Sequence, residues 1–472
     1  MKTLRRLGIF VAALIVIVSM LALAARTALD ADRIKRELGA AVYASQQRTL
    51  RIDGELALSF WPTLGIRLGK ASLSERNSTT TFATLDSAQL ALQWLPLLSR
   101  RFVVEPVEVA GLGVTIVRNK DGRLNIADLL EPRQPGTTPV DIAALHLARG
   151  RLVLRDERAG REVAFDDIEL RSGRIANAAP AAGDIELAAR IRLTPEPHGD
   201  ARFRLGARYA LDAAAKRYAA RQVAFHLEEA PLGARRLDLA GAAEEIALQA
   251  GAAAPEVAAS GVSLRAQTGN ANTDDAVLAL AVPQLRLVDG KLDAAALTLA
   301  LDVRTADAPG SGVQARLATP LHADLSAQTL AFDKIEGRVE LRHPRLAVQA
   351  LALPLRGSLR ADLARQRAAV ELAGELDAST LAARIDAARY VPPTASFVVD
   401  IDRLELDRYL RPSRDDKSAT AADTGRQAPG TARNVDLRGT LNIGELKAAG
   451  VKARKLRLAV TLADGRLAVA PR

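Results

Sequence analysis

The sequence predicts a mainly β protein, in which a long curved antiparallel sheet built from repeated hairpins follows an N-terminal transmembrane helix and a short amphipathic helix. Apolar and polar residues alternate with a period of two through most of the chain after residue 50, and Asp-Gly recurs between the alternating segments. Aromatic residues are only 3% of the 472 residues, so leucine, valine, isoleucine and alanine must form the apolar face.

An uncharged apolar run covers residues 7–25 and predicts the transmembrane helix. At 1.5 Å per residue it is about 28 Å long, close to the ~30 Å hydrocarbon core of a bilayer. Basic residues precede it, which predicts a cytoplasmic tail over residues 1–6 and export of the remainder. A cleaved signal peptide, with small residues 22–24 as its cleavage site, is the alternative to an uncleaved anchor.

Residues 30–47 are predicted to form the amphipathic helix. Ile34, Leu38 and Val42 recur at i, i+4 and i+8 and form one apolar stripe, with charged residues off that stripe. The helix could pack against the end of the sheet or lie on a membrane surface. We favour packing against the sheet.

The alternation after residue 50 predicts strands that have one apolar and one polar face. An N-terminal region covers residues 26–131, an extended antiparallel region residues 141–410, and a C-terminal segment residues 435–472. Residues 132–140 and 411–434 connect them. Both connections are polar and contain proline and glycine, and the second has no periodicity, so we expect a flexible linker there.

Tight turns are predicted where Asp-Gly falls between strands, because both residues tolerate the positive φ of a type I′ hairpin. The pattern Asp-Gly-(Arg or Lys)-Leu occurs at residues 121–124, 289–292 and 464–467. Gly150 and Gly173, each followed by arginine and an aliphatic residue, are interpreted as degenerate copies of this turn.

The apolar face of the sheet is the candidate functional site. An apolar sheet face must be covered by a second sheet, by its own curvature or by a ligand. A smooth wall of leucine, valine and alanine suits acyl chains, whose burial contributes about 0.8 kcal/mol per methylene. A closed sandwich core without ligand is the alternative that periodicity leaves open. The residues predicted to line the groove are Leu56, Leu58, Phe60, Leu456, Leu458 and Val460.

Other function classes have no support in the sequence. The chain contains no cysteine, which excludes a disulfide framework, a thiolate nucleophile and cysteine-ligated metal. The five histidines lie outside any HExxH motif, and neither a G-x-S-x-G elbow nor a Walker loop occurs. We therefore expect no catalytic residue, no metal and no cofactor. The net charge of +10 comes without aromatic residues among the basic ones, so nucleic acid is not an expected partner.

Four stretches resemble the AsmA family of Gram-negative envelope proteins, which have one inner-membrane helix and a large periplasmic portion. They are IDGELALSFWPTLGI at residues 52–66, LPLLSR at 95–100, the segment 117–130 with Asn125, and the segment 397–412 with its DRYL. Their order, together with the predicted anchor, carries the resemblance. Gln47-Arg48 stands where members of the family often have Gly-Arg.

The resemblance implies an inner-membrane protein, with a cytoplasmic N-terminus and a periplasmic bulk, that acts in envelope or outer-membrane biogenesis. Relatives resemble bridge-like lipid transfer proteins whose curved sheets form an apolar groove, so phospholipid and the inner membrane are the expected partners. The alternative is a non-catalytic scaffold that affects outer-membrane protein assembly or targeting through contacts with other envelope proteins. Residues 435–472 are similar to the opening of the family's C-terminal segment, which indicates a C-terminally truncated member.

Overall fold

The computed structural model describes residues 31–59, 64–92, 103–127, 141–176, 179–194, 200–232, 235–250, 254–270, 273–304, 310–344, 346–376, 379–390, 393–409, 436–448, 450–463 and 466–471. The predicted cytoplasmic tail, transmembrane helix, both predicted linkers and Phe60 lie outside these ranges. No helix within them is both long and apolar enough to cross a bilayer.

The described chain is almost entirely β-structure, as predicted, and divides into an N-terminal unit (Met1–Ala234) and a C-terminal unit (Arg235–Arg472). Its elements, in chain order, are α1 (Ala31–Gln46), β1 (Leu50–Ile52), β2 (Leu56–Ser59), β3 (Leu64–Leu68), β4 (Ala71–Ser74), β5 (Thr81–Leu85), β6 (Ser87–Leu92), β7 (Val103–Val104), β8 (Val107–Ala110), β9 (Gly113–Arg118), β10 (Asp141–Ile142), β11 (Leu145–Asp156), β12 (Arg161–Ser172), β13 (Ile175–Ala176), β14 (Ala181–Thr194), β15 (Asp200–Asp212), β16 (Arg217–Leu232), β17 (Arg235–Ala250), β18 (Pro255–Asn270), β19 (Thr273–Val288), β20 (Lys291–Arg304), β21 (Gly312–Asp324), β22 (Thr329–Arg342), β23 (Leu351–Asp362), β24 (Arg367–Leu376), β25 (Ser379–Tyr390), β26 (Pro393–Glu405), α2 (Leu406–Tyr409), β27 (Asp436–Ala448), β28 (Val451–Ala463) and β29 (Arg466–Pro471).

Helix α1 packs against β1 and β2, the role favoured from the sequence. Ile34 and Val42 of its apolar stripe are half-buried, whereas Leu38 is 43% exposed. The helix ends at Gln47, which has a φ of 56° and whose N–H donates to Tyr43 O at 2.8 Å. This left-handed conformation favours glycine, so glutamine is a conformationally less favourable residue at this position.

Arg48 is the most deeply buried large side chain of the described residues, with none of its surface exposed. Its guanidinium donates to Ser74 O at 3.2 Å and to Asn125 O at 2.9 Å, and lies 4.6 Å from the centroid of the Phe82 ring. The side chain thereby links the end of α1 to β4, β5 and the turn after β9. Asn125 belongs to the motif at residues 117–130, and its side-chain amide donates to Glu75 Oε1 at 2.7 Å.

The first strands of the N-terminal unit are interrupted at corresponding positions along their length. β1 pairs with β4, β4 with β5, and β5 with β9. Beside this series, β2 pairs with β3, β3 with β6, and β6 with β8. The two halves of β11 then pair with β8 and β9. The interruptions lie near Gly54, Gly69, Gly111 and Gly150. The interruptions of neighbouring strands thus align, and Leu56 and Phe82 are among the buried side chains of this region.

Two predicted turns are therefore wrong. Gly150 lies inside β11 at a shift of register opposite Ile168, where Arg149 has a φ of 54°. Gly173 follows β12, and its N–H donates to Asp184 O at 2.9 Å, so the chain still pairs with β14. Neither glycine reverses the chain. At Gly173, a Cβ atom would lie 2.8 Å from Gly183 Cα, so this glycine permits close approach of two backbones.

The sheet is mostly antiparallel, as predicted, and a few strand pairs are parallel. β11 runs parallel to β8 and β9, β10 to β7, and β27 to β26. Parallel neighbours need a crossover connection of a dozen or more residues. The long connections 119–140 and 406–435 precede β10 and β27, so parallel pairs occur where such connections allow a parallel return.

Hairpins make up the remainder of both units. Asp289-Gly290 forms the predicted two-residue turn, with φ values of 49° and 75° and Val288 paired with Lys291. Asp121-Gly122 also lies in a turn, closed by a bridge between Arg118 and Leu124. Residues 464–465 of the third copy lie outside the described residues.

Four further hairpins share a turn that the sequence analysis missed. In each, an aspartate is the last residue of the first strand and pairs with the residue five positions later. Its carboxylate accepts a hydrogen bond from the backbone N–H three positions later. These aspartates are Asp156, Asp212, Asp324 and Asp362. The last turn residue is left-handed in each: Gly160, Lys216, Gln328 and Gln366. Three of these are not glycine, so a search for Asp-Gly does not find them.

These turns should make the protein sensitive to acid. The backbone N–H of Ala159 and that of Arg365 donate to Asp156 and Asp362, which holds the pKa of each carboxyl below its ordinary value of 3.8. A carboxyl whose pKa is lowered by folding stabilises the protein above its unfolded pKa, and this contribution is lost as the pH falls through the folded pKa. We expect Asp156→Asn with Asp362→Asn to reduce the loss of stability between neutral pH and about pH 3. Denaturant midpoints at the two pH values measure this, and an unchanged pH dependence would contradict it.

Candidate functional site

The C-terminal unit presents one apolar face whose residues form rows across its strands. Residues in register on paired strands have their side chains on the same face, so the register defines each row. Row A contains Val257, Leu287, Leu292, Ala323, Leu330, Ala361, Ala368, Ala387, Ala395, Leu437 and Leu462. Row B contains Gly241, Leu264, Leu280, Leu299, Leu317, Gly337, Leu355, Gly374, Leu381, Ile401, Ile443 and Leu456.

Two shorter rows lie between rows A and B. Row C contains Phe332, Leu359, Val370, Ile385, Phe397, Gly439 and Val460. Row D contains Gly357, Leu372, Ala383, Val399, Leu441 and Leu458. At about 4.8 Å between strands, rows A and B each extend about 50 Å. The face is thus a continuous apolar track that crosses the strands at right angles.

No second layer covers this track among the described residues. In the C-terminal unit, the substantial contacts between elements join neighbouring strands of the sheet, except that α2 packs against β27. The leucines of row B are nevertheless half-buried rather than fully exposed. Their shielding therefore comes from the sheet itself.

A cluster of buried side chains shows how the sheet provides this shielding. Val282, Ala294, Leu297 and Leu321 are each less than 10% exposed and pack together on β19, β20 and β21. The register shifts beside them, between Ala294 and Leu297 and again on the next two strand pairs. Such bulges bend strands. In a single layer, this degree of burial requires the sheet to curl around its own apolar face, so the track is locally concave.

Glycines within the rows support the same curvature. A Cβ atom at Gly337 would lie 2.1 Å from Arg316 O, and one at Gly357 would lie 2.1 Å from Glu371 O. Those oxygens belong to adjacent strands, so the backbones approach closely on the apolar side. Glycine is needed wherever a side chain would prevent that approach.

The opposite face of the same strands is charged and exposed. Asp293 pairs with His322 at 2.7 Å, Asp333 with Arg360 at 2.7 Å, and the amide of Asn442 donates to Asp400 at 2.7 Å. In the N-terminal unit, Asp166 contacts both Arg151 and Arg192 at 3.1 Å. Many arginines thus form cross-strand ion pairs on a solvated face.

The predicted groove residues fall in both units. Leu456, Leu458 and Val460 lie on one face of β28, half-buried, and belong to rows B, D and C. Leu56 is 7% exposed in the N-terminal unit, and Leu58 is in register with Ile66 on β3. Phe60 lies outside the described residues. That these six residues line one groove stays a prediction.

The centre of the track was not among the predicted site residues. Leu280, Leu299, Leu317 and Leu355 occupy it, on β19, β20, β21 and β23. The alternation in residues 297–303 places Leu299 on an apolar face, but alternation cannot say which strands are neighbours or in what register. Among the described residues, no cluster of three or more histidine or acidic side chains could hold a metal ion.

Comparison with known proteins gives one match. Residues 1–281 match the model of the AsmA family. No curated protein and no solved structure matches the chain.

Proposed function

Since the chain belongs to the AsmA family, we propose that it holds phospholipid on the apolar track of its C-terminal unit and transfers it during envelope biogenesis. The observation that carries this proposal is an apolar face, about 50 Å long and locally concave at β19 to β21, with no protein layer over it among the described residues. An apolar face of this size without a covering layer is typical of a binding surface.

The chemistry of the track suits acyl chains. Its rows consist of aliphatic residues with two phenylalanines, and no charged residue interrupts rows A to D. The hydrocarbon of one membrane leaflet is about 15 Å thick, so the track has room for about three acyl chains end to end. Burial contributes about 0.8 kcal/mol per methylene regardless of chain chemistry, which favours passage over tight recognition. Head groups would stay in water, and no covalent step is involved.

The same family membership and the sequence support a proposal for the location. We propose that residues 7–25 anchor the protein in the inner membrane, with residues 1–6 in the cytoplasm and the two units in the periplasm. The alternative function is a scaffold that guides outer-membrane protein assembly by protein contacts alone. A scaffold has no need of an uncovered apolar track, so the lipid proposal is favoured.

A photocrosslinking amino acid tests whether lipid occupies the track. Incorporated in place of Leu458 in the full chain, in cells, it should yield chain covalently joined to phospholipid, identified by mass spectrometry. Leu458 is half-buried in row D. The matched control is Arg457, its exposed neighbour on the opposite face of β28, where phospholipid should be absent.

Two results would reject the proposal. Crosslinks from position 458 to a protein, with no phospholipid, would favour the scaffold. Equal phospholipid labelling at positions 457 and 458 would show that membrane proximity, rather than the apolar track, determines the crosslink.

A further inference from the structure

Two exposed leucines lie at the tips of neighbouring hairpins in the C-terminal unit. Leu325 begins the turn between β21 and β22, and Leu363 begins the turn between β23 and β24. They are 55% and 52% exposed, respectively. Both follow row A closely, since Ala323 and Ala361 lie two residues earlier on the same strands. The apolar character of the track thus continues to the edge of the sheet.

The turn itself does not require leucine. The same turn occurs after Asp156 and Asp212, with the same register and the same aspartate hydrogen bond. Glu157 and Ala213 occupy the corresponding positions there. The turn therefore does not dictate leucine, and leucine at two adjacent tips adds exposed apolar surface beside row A.

The tips form one continuous edge. Leu325 N–H donates to Gly290 O at 2.8 Å, and Leu363 N–H donates to Gln328 O at 2.9 Å. Three successive hairpins are therefore joined side by side at their turns. Two strand spacings separate the leucines, so they stand about 10 Å apart on an edge held by backbone hydrogen bonds.

Basic side chains lie beside the leucines. Lys291 and Arg365 are exposed next to the tips, and the Arg365 side chain is 77% exposed. Asp289, Asp324 and Asp362 lie at the same three turns, and Asp362 pairs with Arg365 at 2.7 Å, so the edge carries charges of both signs. Lysine and arginine stems can follow an apolar surface while their charged ends reach lipid phosphates, which is compatible with leucines that enter a bilayer beside them.

We propose that Leu325 and Leu363 form a lip that enters the surface of a phospholipid bilayer, and that acyl chains pass sideways over this lip onto row A. The inference rests on the proposed function, because the lip needs an acyl-binding track behind it. It goes further by assigning the entry point to a hairpin edge.

Single cysteines test the lip directly, because the chain has no cysteine of its own. The full chain carrying Leu325→Cys or Leu363→Cys is labelled with an environment-sensitive NBD dye. It is then reconstituted into vesicles of phosphatidylethanolamine with a minority of phosphatidylglycerol, with or without a lipid whose acyl chains carry a quencher. We expect the quencher to remove most of the NBD fluorescence at both positions. Glu157→Cys and Ala213→Cys, at the matched position of the same turn, should lose little.

A dye at Leu458→Cys, in row D, separates the lip from the proposed function. Quenching at position 458 without quenching at 325 and 363 would overturn the lip and leave the lipid-binding track in place. No quenching at position 458 would reject the proposed function, and the lip with it. Equal quenching at all four turns would also overturn the lip, since leucine would then not be the cause.

The rate of loading gives a second readout. Leu325→Ser combined with Leu363→Ser should slow quenching at position 458 roughly tenfold, because each leucine loses part of its transfer free energy into the bilayer. Glu157→Ser with Ala213→Ser is the control and should leave the rate unchanged. An unchanged rate in the leucine variant would contradict entry over this lip.

Discussion

Replacing Arg48 with methionine should lower the free energy of unfolding of the N-terminal unit by about 3 kcal/mol. Methionine fills much of the same space but donates no hydrogen bond. Ser74 O and Asn125 O, which accept from the guanidinium at 3.2 and 2.9 Å, would lose that buried donor, and Phe82 would lose its cation. α1, β4, β5 and the turn after β9 meet at this side chain, so the loss should affect them together.

Tryptophan fluorescence measures this variant selectively. The chain has two tryptophans, Trp61 and Trp94, and both lie in the N-terminal unit. Arg51→Met is the matched control, because the Arg51 side chain is 77% exposed and its loss should change stability by less than about 0.5 kcal/mol. Equal unfolding midpoints for the two variants would show that the buried guanidinium does not hold these elements together.

Replacing Val282 with aspartate should destabilise the C-terminal unit by about 4 kcal/mol or more. Val282 is 5% exposed and packs against Ala294, Leu297 and Leu321. A carboxylate there must be buried without a partner or must force the curled strands apart. Hydrogen exchange read by mass spectrometry should show lost protection in β19, β20 and β21.

Ala281→Asp is the control for this prediction. Ala281 is the preceding residue of β19 and is exposed on the opposite face, so aspartate should cost no more than about 1 kcal/mol there. If the two variants exchanged alike, the sheet would not enclose Val282, and the concavity of the track would have to be rejected.

The strands could be predicted well from the sequence because alternation is a local property. The alternation of Leu456, Leu458 and Val460 with Arg457 placed the three on one apolar face, and they lie together on one face of β28. Asp289-Gly290 likewise forms its turn from two residues alone. Helix α1 ends within one residue of each predicted boundary.

The bends, by contrast, depend on neighbours that alternation does not reveal. Glycine followed by arginine resembles the end of a hairpin, so the sequence predicts a turn at Gly150. Gly150 instead lies at a shift of register within β11, level with interruptions in the adjacent strands. Lys216 and Gln366 adopt left-handed conformations, which lysine and glutamine in a sequence do not predict. The long apolar rows exist only once the register of each strand pair is known.

The pairing of each strand only with its neighbours in the C-terminal unit has a consequence for how such a protein can change in length. Because nearly every contact there joins one strand to the next, each hairpin depends on its two neighbours and not on a shared centre. Inserting one hairpin would add two strands, and so lengthen the apolar track by about 10 Å, while leaving the other interfaces as they are. The number of hairpins thus determines the length of the apolar track, and evolution or design could change that length in steps while keeping the other strand interfaces.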